Sequence, residues 1–297
     1  MPGFLFSDTM KVPSNRLADI VAYYAKQLER LYDAREAGNI VRQIVEFFLG
    51  IDRLRLALEP ELRVSESAML EVHFAVKEVL KGRPLQYVTG IAWFDGKAFA
   101  VNENVLIPRP ETEGLLGLVS DFLTNHPDAR VLDACTGSGC IAISLKLRHP
   151  ECSVVATDFS PMALQLAAAN AVRHGVQIVL LEEDLLTGHK DTGEGYNLIL
   201  SNPPYVPEKE RSTLMPHVLA EPWQALFVPD DDPLIFYQAL ALLAQNMLKA
   251  GGAMAVECHS LYAGDVAGLF KESGLTEVKV LKDLHGRDRY VTACKSS

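Results

Sequence analysis

The amino-acid sequence contains no uninterrupted apolar run of the roughly 18 residues that mark a membrane-spanning helix. No membrane partner is therefore expected. The first residues also lack a basic start followed by a long apolar stretch, so we expect no secretory signal. The chain has 297 residues, 48% of them hydrophobic and 22% charged, which is the composition of a globular protein with length for two domains.

Cysteine is scarce, and its spacing forms no C-x-x-C pair. An odd number of cysteines without such a pair argues against both a disulfide framework and a zinc site. We therefore expect reduced thiols, a cytoplasmic location and no metal. The five cysteines are Cys135, Cys140, Cys152, Cys258 and Cys294.

Positive charge is in deficit, because 28 lysines and arginines face 38 aspartates and glutamates and give a formal net charge of −10. Proteins that bind duplex DNA or RNA usually carry a basic face that neutralises phosphates. The composition weighs against a nucleic-acid substrate, and no direct nucleic-acid partner is expected.

Apolar residues at helical spacing dominate the first part of the chain. One stripe precedes Gly50 and another lies between Ser65 and Gly82, with each glycine placed as a C-terminal cap. A further helix is expected from Asn15 to Ala34. Because amphipathic faces normally pack against each other, we expect a helical domain over residues 1–85. The stripes consist of Leu17, Ile20, Val21, Tyr24, Val41, Ile44, Val45, Phe48, Met69, Val72, Val76, Val79 and Leu80.

The sequence pattern changes after Gly90, where short runs of aromatic and β-branched residues flank Asp95-Gly96. This pattern predicts a β-hairpin linker over residues 86–108. Strand-like and helical segments alternate over residues 109–297, which favours an α/β fold with a doubly wound sheet. The expected strands are Arg130–Ala134, Ser153–Asp158, Ile178–Glu182, Leu198–Ser201, Ala253–Glu257, Glu277–Leu281 and Arg289–Ala293, and the expected helices include Pro161–His174 and Pro233–Leu248.

A glycine-containing turn, residues 135–139, follows the first of these strands and precedes a helix. Its glycines let the backbone approach a ligand, and the helix N-terminus offers free N–H groups. Asp158 ends the second strand, where a carboxylate can accept hydrogen bonds from ribose hydroxyls. Asp184 and Leu185 follow the third strand, where they could lie beside an adenine ring. With Asp133 on the first strand, Asp158 and Asp184 make three carboxylates at successive strand ends, and any one of them alone would be a solvated strand end. Together they indicate a nucleoside pocket, which NAD and S-adenosylmethionine both satisfy because Ala142 is permitted in the dinucleotide pattern.

The fourth strand ends in the tetrapeptide Asn202-Pro203-Pro204-Tyr205, and this favours S-adenosylmethionine. Neither proline has an N–H group and both have a fixed φ, so a carbonyl of this stiff turn is available as an acceptor. Asn202 adds a side-chain carbonyl and Tyr205 an aromatic face. Two acceptors around one NH2 group would direct a planar amide or amine nitrogen toward the sulfonium methyl, with positioning as the main contribution.

These residues resemble the HemK-type N5-glutamine methyltransferases that modify peptide chain release factors. The resemblance covers nearly the whole chain. It is carried by Arg83-Pro84, Gln86-Tyr87, Gly90, Ile107–Glu113, Thr136-Gly137-Ser138-Gly139, the tetrapeptide, Glu221-Pro222 and Asp283–Arg289.

The resemblance implies a helical, substrate-recognising N-terminal domain, a hairpin linker and a seven-stranded Rossmann-like methyltransferase sheet whose last strand is antiparallel. It also implies that the substrate is the glutamine of the Gly-Gly-Gln motif in release factors and that S-adenosylhomocysteine is the product. The cofactor contacts that it implies are Thr136, Gly137, Ser138, Gly139, Asp158, Asn202 and, beside the adenine, Leu185, and the substrate contacts are Asn202, Pro203, Pro204 and Tyr205. Cys135 and Asp184 are also expected at the cofactor site.

Two departures leave alternatives open. Cys135 stands where release-factor enzymes usually have glycine, and it resembles the sister group that methylates a glutamine of a ribosomal protein. That group, however, replaces the Pro110–Glu113 run, which is intact here. Asp230-Asp231-Asp232 also lacks the glycines often found before the following helix. An adenine-N6 nucleic-acid methyltransferase shares the tetrapeptide, but the acidic charge and the absence of a base-recognition domain oppose it.

Overall fold

The computed structural model describes residues 12, 14–188, 193 and 195–296. Within it the chain forms two compact units, which divide between Thr89 and Gly90. The expectation about a secretory signal falls mainly on residues 1–11 and 13, which lie outside the described part of the chain. Among the described residues, no helix combines the length and apolarity needed to cross a membrane.

The first unit is helical, as its apolar periodicity predicts. Its helices are α1 (Leu17–Leu28), α2 (Ala34–Leu49), α3 (Arg53–Leu58), α4 (Glu66–Leu80) and α5 (Leu85–Thr89). All but three of the predicted stripe residues are buried in one cluster, and Phe48, Met69 and Leu80 pack against it half-buried. The bundle core is therefore the set of stripes that the sequence displays.

Helix caps set the boundaries in this unit. Gly50 ends α2 with φ of 64°, in the left-handed region that favours glycine, and the Ser65 hydroxyl accepts from the amide of Ala68 at the start of α4. The expected helix from Asn15 to Ala34 is wrong after Leu28. α1 ends at Leu28, and Asp33 begins a new helix by accepting from the amide of Glu36 at 2.9 Å.

The second unit opens with the hairpin and continues as an α/β domain. Its strands are β1 (Ile91–Phe94), β2 (Lys97–Ala100), β3 (Arg130–Ala134), β4 (Ser153–Asp158), β5 (Val179–Glu182), β6 (Tyr196–Ser201), β7 (Val206–Pro207), β8 (Phe227–Val228), β9 (Leu248–Glu257), β10 (Thr276–Lys282) and β11 (Asp288–Cys294). Its helices are α6 (Glu113–Leu118), α7 (Ser120–Asn125), α8 (Cys140–Arg148), α9 (Pro161–Arg173), α10 (Pro216–Leu219), α11 (Trp223–Leu226), α12 (Ile235–Met247) and α13 (Ala263–Glu272), and a 3₁₀ helix spans Glu208–Thr213.

The hairpin has the two-residue turn that Asp-Gly indicates. Asp95 and Gly96 have φ of 52° and 67°, as both central residues of such a turn require. The hairpin is shorter than the expected 86–108 linker, because residues up to Thr89 are helical and β2 ends at Ala100.

Seven strands form the main sheet in the order β10-β11-β9-β6-β3-β4-β5. β9, β6, β3, β4 and β5 are parallel, whereas β11 runs antiparallel to both its neighbours. Val131 and Leu132 on β3 belong to different hydrophobic clusters, because successive side chains of a strand face opposite sides of the sheet. The doubly wound α/β fold and its antiparallel last strand are thus confirmed.

Candidate active site

The carboxyl ends of the parallel strands meet at a cavity of about 340 Å³. Ligands of doubly wound sheets bind at this edge. Most of the residues predicted for the site line the cavity, namely Cys135, Thr136, Gly137, Ser138, Asp158, Asp184, Leu185, Asn202 and Pro204. Gly139, Pro203 and Tyr205 lie outside its lining.

Positive φ angles shape the glycine turn. Gly137 and Gly139 have φ of 55° and 80°, and the amide of Gly139 donates to the Thr136 carbonyl oxygen at 2.9 Å. Gly139 caps the start of α8, where an added Cβ would lie 3.0 Å from Ile143 and 3.1 Å from Ala167. Its conformation and its neighbours therefore both require glycine, although it lies outside the cavity lining.

Cys135 shares this geometry without being glycine. Its φ is 62°, so its backbone adopts the left-handed conformation that residues with a side chain rarely adopt. Glycine would adopt this conformation at lower cost than cysteine.

The Asp158 carboxylate braces the glycine turn. One oxygen accepts from the amide of Gly137 at 2.9 Å and the other from the amide of Ser160 at 3.0 Å. Asp158 is only 9% exposed, and burial raises its pKa. Its position at the end of β4 is as predicted, but its carboxylate also holds backbone that the sequence-based prediction had not linked to it.

Two neighbouring carboxylates follow β5 at the cavity. The strand ends at Glu182, so Asp184 lies two residues beyond it, exposed, with its Oδ1 accepting from the amide of Leu186 at 2.9 Å. Glu183 also lines the cavity and is 7% exposed. Sequence reasoning named Asp184 and missed the more deeply buried Glu183.

Asp133 is a further carboxylate beneath the turn. Its Oδ2 accepts from the Thr136 hydroxyl at 2.6 Å and from the amide of Ala142 at 3.1 Å. Burial raises the pKa of Asp133 to about 7, against the hydrogen bonds that lower it. This residue joins the turn to the first turn of α8.

Asn202 belongs to a buried chain of hydrogen bonds. Its Nδ2 donates to Thr112 Oγ1 at 3.0 Å, and the Thr112 hydroxyl donates to Glu257 Oε2 at 2.7 Å. Tyr205 Oη donates to Glu257 Oε1 at 3.0 Å. Asn202 Oδ1 is buried and has no hydrogen-bond partner among the residues that the structure describes. Asn202 is a lining residue of the cavity, and its side chain has an acceptor that the described part of the chain leaves without a partner.

Tyr205 contributes to this chain through its hydroxyl rather than through the cavity. Its ring lies edge-on to His259, with 6.2 Å between the centroids. Burial and the adjacent Glu257 raise the pKa of Tyr205. The expected aromatic face is present at the end of β6, beside the cavity lining and not within it.

An ion pair fixes the 107–113 run against the loop that precedes α11. Glu221 is 5% exposed; it accepts from Arg109 Nη2 at 2.5 Å and from the amide of Ile107 at 3.0 Å. Arg109 and Thr112 both line the cavity. The run that carries the sequence resemblance is thus built into the cavity wall.

Glu257 and Glu183 are the site residues that sequence reasoning missed, whereas Asp133 was expected as the acidic residue of the first strand. Glu257 was expected only as the end of a strand, and the available signal was an acid ending the strand next to the tetrapeptide. Among the described residues, no group of three or more His, Cys, Asp or Glu side chains is placed to hold a metal ion.

Two sequence families match parts of the chain. Residues 19–90 match the PrmC N-terminal domain, and residues 114–227 match the Methyltransferase small domain. Among solved structures, a methyltransferase from Pyrococcus furiosus has a TM-score of 0.51 at 15% identity, over 74% of this chain and 98% of that one. The catalytic domain of hMettl16 has a TM-score of 0.56 at 13% identity, over 87% and 90%. These structures share the fold.

Sequence relatives are much more similar. A release factor glutamine methyltransferase of Bacteroides thetaiotaomicron is 37% identical over 92% of this chain and 98% of its own length. One from Chlorobaculum tepidum is 40% identical over 92% and 94%. With this identity over nearly the full length of both chains, the protein belongs to the release factor glutamine methyltransferase family.

Proposed function

We propose that the protein transfers a methyl group from S-adenosylmethionine to the side-chain amide nitrogen of the glutamine in the Gly-Gly-Gln motif of peptide chain release factors, in the cytoplasm. The observation that carries this proposal is the Asn202 amide. Its nitrogen is bound to Thr112, and its buried oxygen has no partner within the described chain. An unused acceptor at the end of β6 fits a substrate N–H group.

The cavity fits S-adenosylmethionine. Gly137 brings backbone to the cavity wall in a conformation that favours glycine, and Asp158 and Glu183 provide buried carboxylates for hydroxyl groups. Leu185 also lines the cavity and is proposed to contact the adenine. When bound, the cofactor supplies a methyl group on a positively charged sulfur.

The tetrapeptide is proposed to orient the substrate amide. An amide nitrogen is a weak nucleophile because its lone pair is delocalised into the carbonyl group. Asn202 Oδ1 and the Pro203 carbonyl oxygen would accept the two N–H groups and so aim the nitrogen. Tyr205 lies outside the cavity lining and would act through its hydroxyl, which binds Glu257. As positive charge develops on the nitrogen, these acceptors stabilise it, and the nitrogen then releases a proton.

The helical unit is proposed to recognise the body of the release factor, because a cavity that holds one amide cannot choose among many glutamines. Leu58 and Phe74 support this role, since they are 72% and 62% exposed on the first unit. Leu58→Ser and Phe74→Ser are expected to raise KM for the release factor while leaving the cofactor Kd unchanged. An unchanged KM in both variants would contradict this role.

Methyl transfer is tested with labelled S-adenosylmethionine and three acceptors offered separately: a release factor, ribosomal subunits and DNA. We expect label in the release factor. Label in a ribosomal protein alone would support the alternative that Cys135 raised from the sequence. Label in DNA alone would contradict glutamine methylation.

A further inference from the structure

We infer that Glu257, acting through Thr112, is a positioning residue that sets the direction of the Asn202 amide. This inference rests on the proposed function, because it concerns how the substrate acceptor is oriented. It adds two side chains that never need to touch the substrate or the cofactor.

The Glu257 carboxylate determines which groups donate and which accept in this series of hydrogen bonds. An ionised carboxylate only accepts, so the Thr112 hydroxyl at 2.7 Å must donate to Glu257. A hydroxyl has one proton, so toward Asn202 at 3.0 Å the Thr112 oxygen can only accept. The Asn202 NH2 group therefore faces Thr112, and the Asn202 carbonyl oxygen is left as the acceptor.

Burial raises the pKa of Glu257, and the hydrogen bonds from the Thr112 and Tyr205 hydroxyls oppose this by stabilising the ionised form that this direction requires. Tyr205 donates to the second oxygen of Glu257 at 3.0 Å, and the Arg289 guanidinium also opposes the effect of burial on the pKa of Glu257. Glu257 is 1% exposed and Thr112 is 2% exposed, so water does not compete for these bonds. Both side-chain oxygens of Glu257 and the Thr112 hydroxyl are bonded in this buried part of the chain of hydrogen bonds, and bonded buried polar groups of this kind specify one arrangement.

Replacing the carboxylate by an amide is expected to reverse the direction of the hydrogen bonds from Glu257 through Thr112 to Asn202. In Glu257→Gln, the new amide keeps an acceptor for the buried Tyr205 hydroxyl only by turning its NH2 group toward Thr112. Thr112 then donates to Asn202 and turns the Asn202 NH2 group toward the substrate. Two NH2 groups facing each other cannot hydrogen-bond, so the substrate amide loses its orientation.

The test measures release-factor methylation by Glu257→Gln, Thr112→Val and Thr112→Ser variants of the full chain. We expect kcat to fall on the order of 100-fold in the first two, with the cofactor Kd unchanged. Thr112→Ser keeps the hydroxyl, so it should retain most of the wild-type kcat. The double variant Thr112→Val/Glu257→Gln should lose no more kcat than Thr112→Val alone, because both changes interrupt the same series of hydrogen bonds.

Tyr237→Phe is the matched control. Its hydroxyl donates to the main-chain oxygen of Glu257 at 3.0 Å, so its removal disturbs the same buried site but leaves the side-chain hydrogen bonds of Glu257 and Thr112 intact. Near-normal kcat in Thr112→Val and Glu257→Gln, or an equal loss in Tyr237→Phe, would overturn the inference. A wild-type protein that binds the cofactor but methylates no release factor would instead overturn the proposed function, and the positioning role with it.

Discussion

Asn170 on α9 binds Ser138 in the glycine turn, with its Nδ2 donating to the Ser138 carbonyl oxygen at 2.9 Å. The same Nδ2 donates to the carbonyl oxygen of Ala100 at 3.0 Å, and its Oδ1 accepts from the Ala100 amide at 2.7 Å. The side chain is fully buried. One amide therefore ties the glycine turn to the end of the hairpin.

Asn170→Ala is expected to lower the free energy of unfolding by roughly 3 kcal/mol, because it leaves buried backbone groups of Ala100 and Ser138 without partners. It should also weaken cofactor binding, since the turn is no longer held. Chemical denaturation and calorimetry measure the two effects. Asn246→Ala, on the exposed side of α12, is the control, and an equal loss of stability there would contradict the assignment.

Position 135 is expected to prefer glycine to alanine. With φ of 62° at Cys135, Cys135→Ala keeps the unfavourable conformation, whereas Cys135→Gly relieves it. Both variants remove the thiol, so their difference isolates the backbone. We expect Cys135→Gly to be the more stable of the two by about 1 kcal/mol, as measured by denaturant unfolding. Greater stability of the alanine variant would show that the left-handed conformation is absent.

Asp133 should make stability depend on pH. Its pKa is raised by burial from 3.8 to about 7 in the folded protein, so the protonated carboxyl stabilises the fold below pH 3.8 and this contribution is lost as the pH rises through 7. Asp133→Asn keeps an acceptor for Thr136 and Ala142 but does not titrate. Relative to this variant, the wild type should lose up to about 1.4 kcal/mol per pH unit between pH 4 and 7.

Denaturant unfolding of both proteins without cofactor across this pH range measures the difference in their free energies of unfolding. The contributions of the other carboxylates are the same in both proteins and cancel in this difference. A difference that stays flat from pH 4 to 7 would contradict the raised pKa. A difference that changes only above pH 8 would point to another group.

Local patterns predicted the strands and helices well. Arg130–Ala134 and Ser153–Asp158 begin and end as expected, because both are apolar runs bounded by polar or turn residues. The break between α1 and α2 was missed, since the helical pattern continues through residues 29–33 and the cap formed by Asp33 decides the boundary. Short elements such as β7 and β8 have too few residues for any period.

The site was only partly predictable. The glycine turn and the tetrapeptide are contiguous, so the sequence displays them. The Thr112–Glu257 bond joins residues 145 positions apart and depends on the pairing of distant strands. The contacts of Asn170 with Ala100 and Ser138 are likewise tertiary. Sequence reasoning therefore identified the groups proposed to meet the ligands and missed the groups that hold them in place.

Asn202 is proposed to orient a release-factor glutamine for methylation. The most direct test is tandem mass spectrometry of a release factor after incubation with S-adenosylmethionine and either wild-type protein or Asn202→Ala, with cofactor binding by both proteins checked by calorimetry. We expect a single methyl group on the side-chain nitrogen of the Gly-Gly-Gln glutamine with the wild type, and none with Asn202→Ala although that variant still binds the cofactor. A methyl group on another residue, or near-normal methylation by Asn202→Ala, would contradict this proposal.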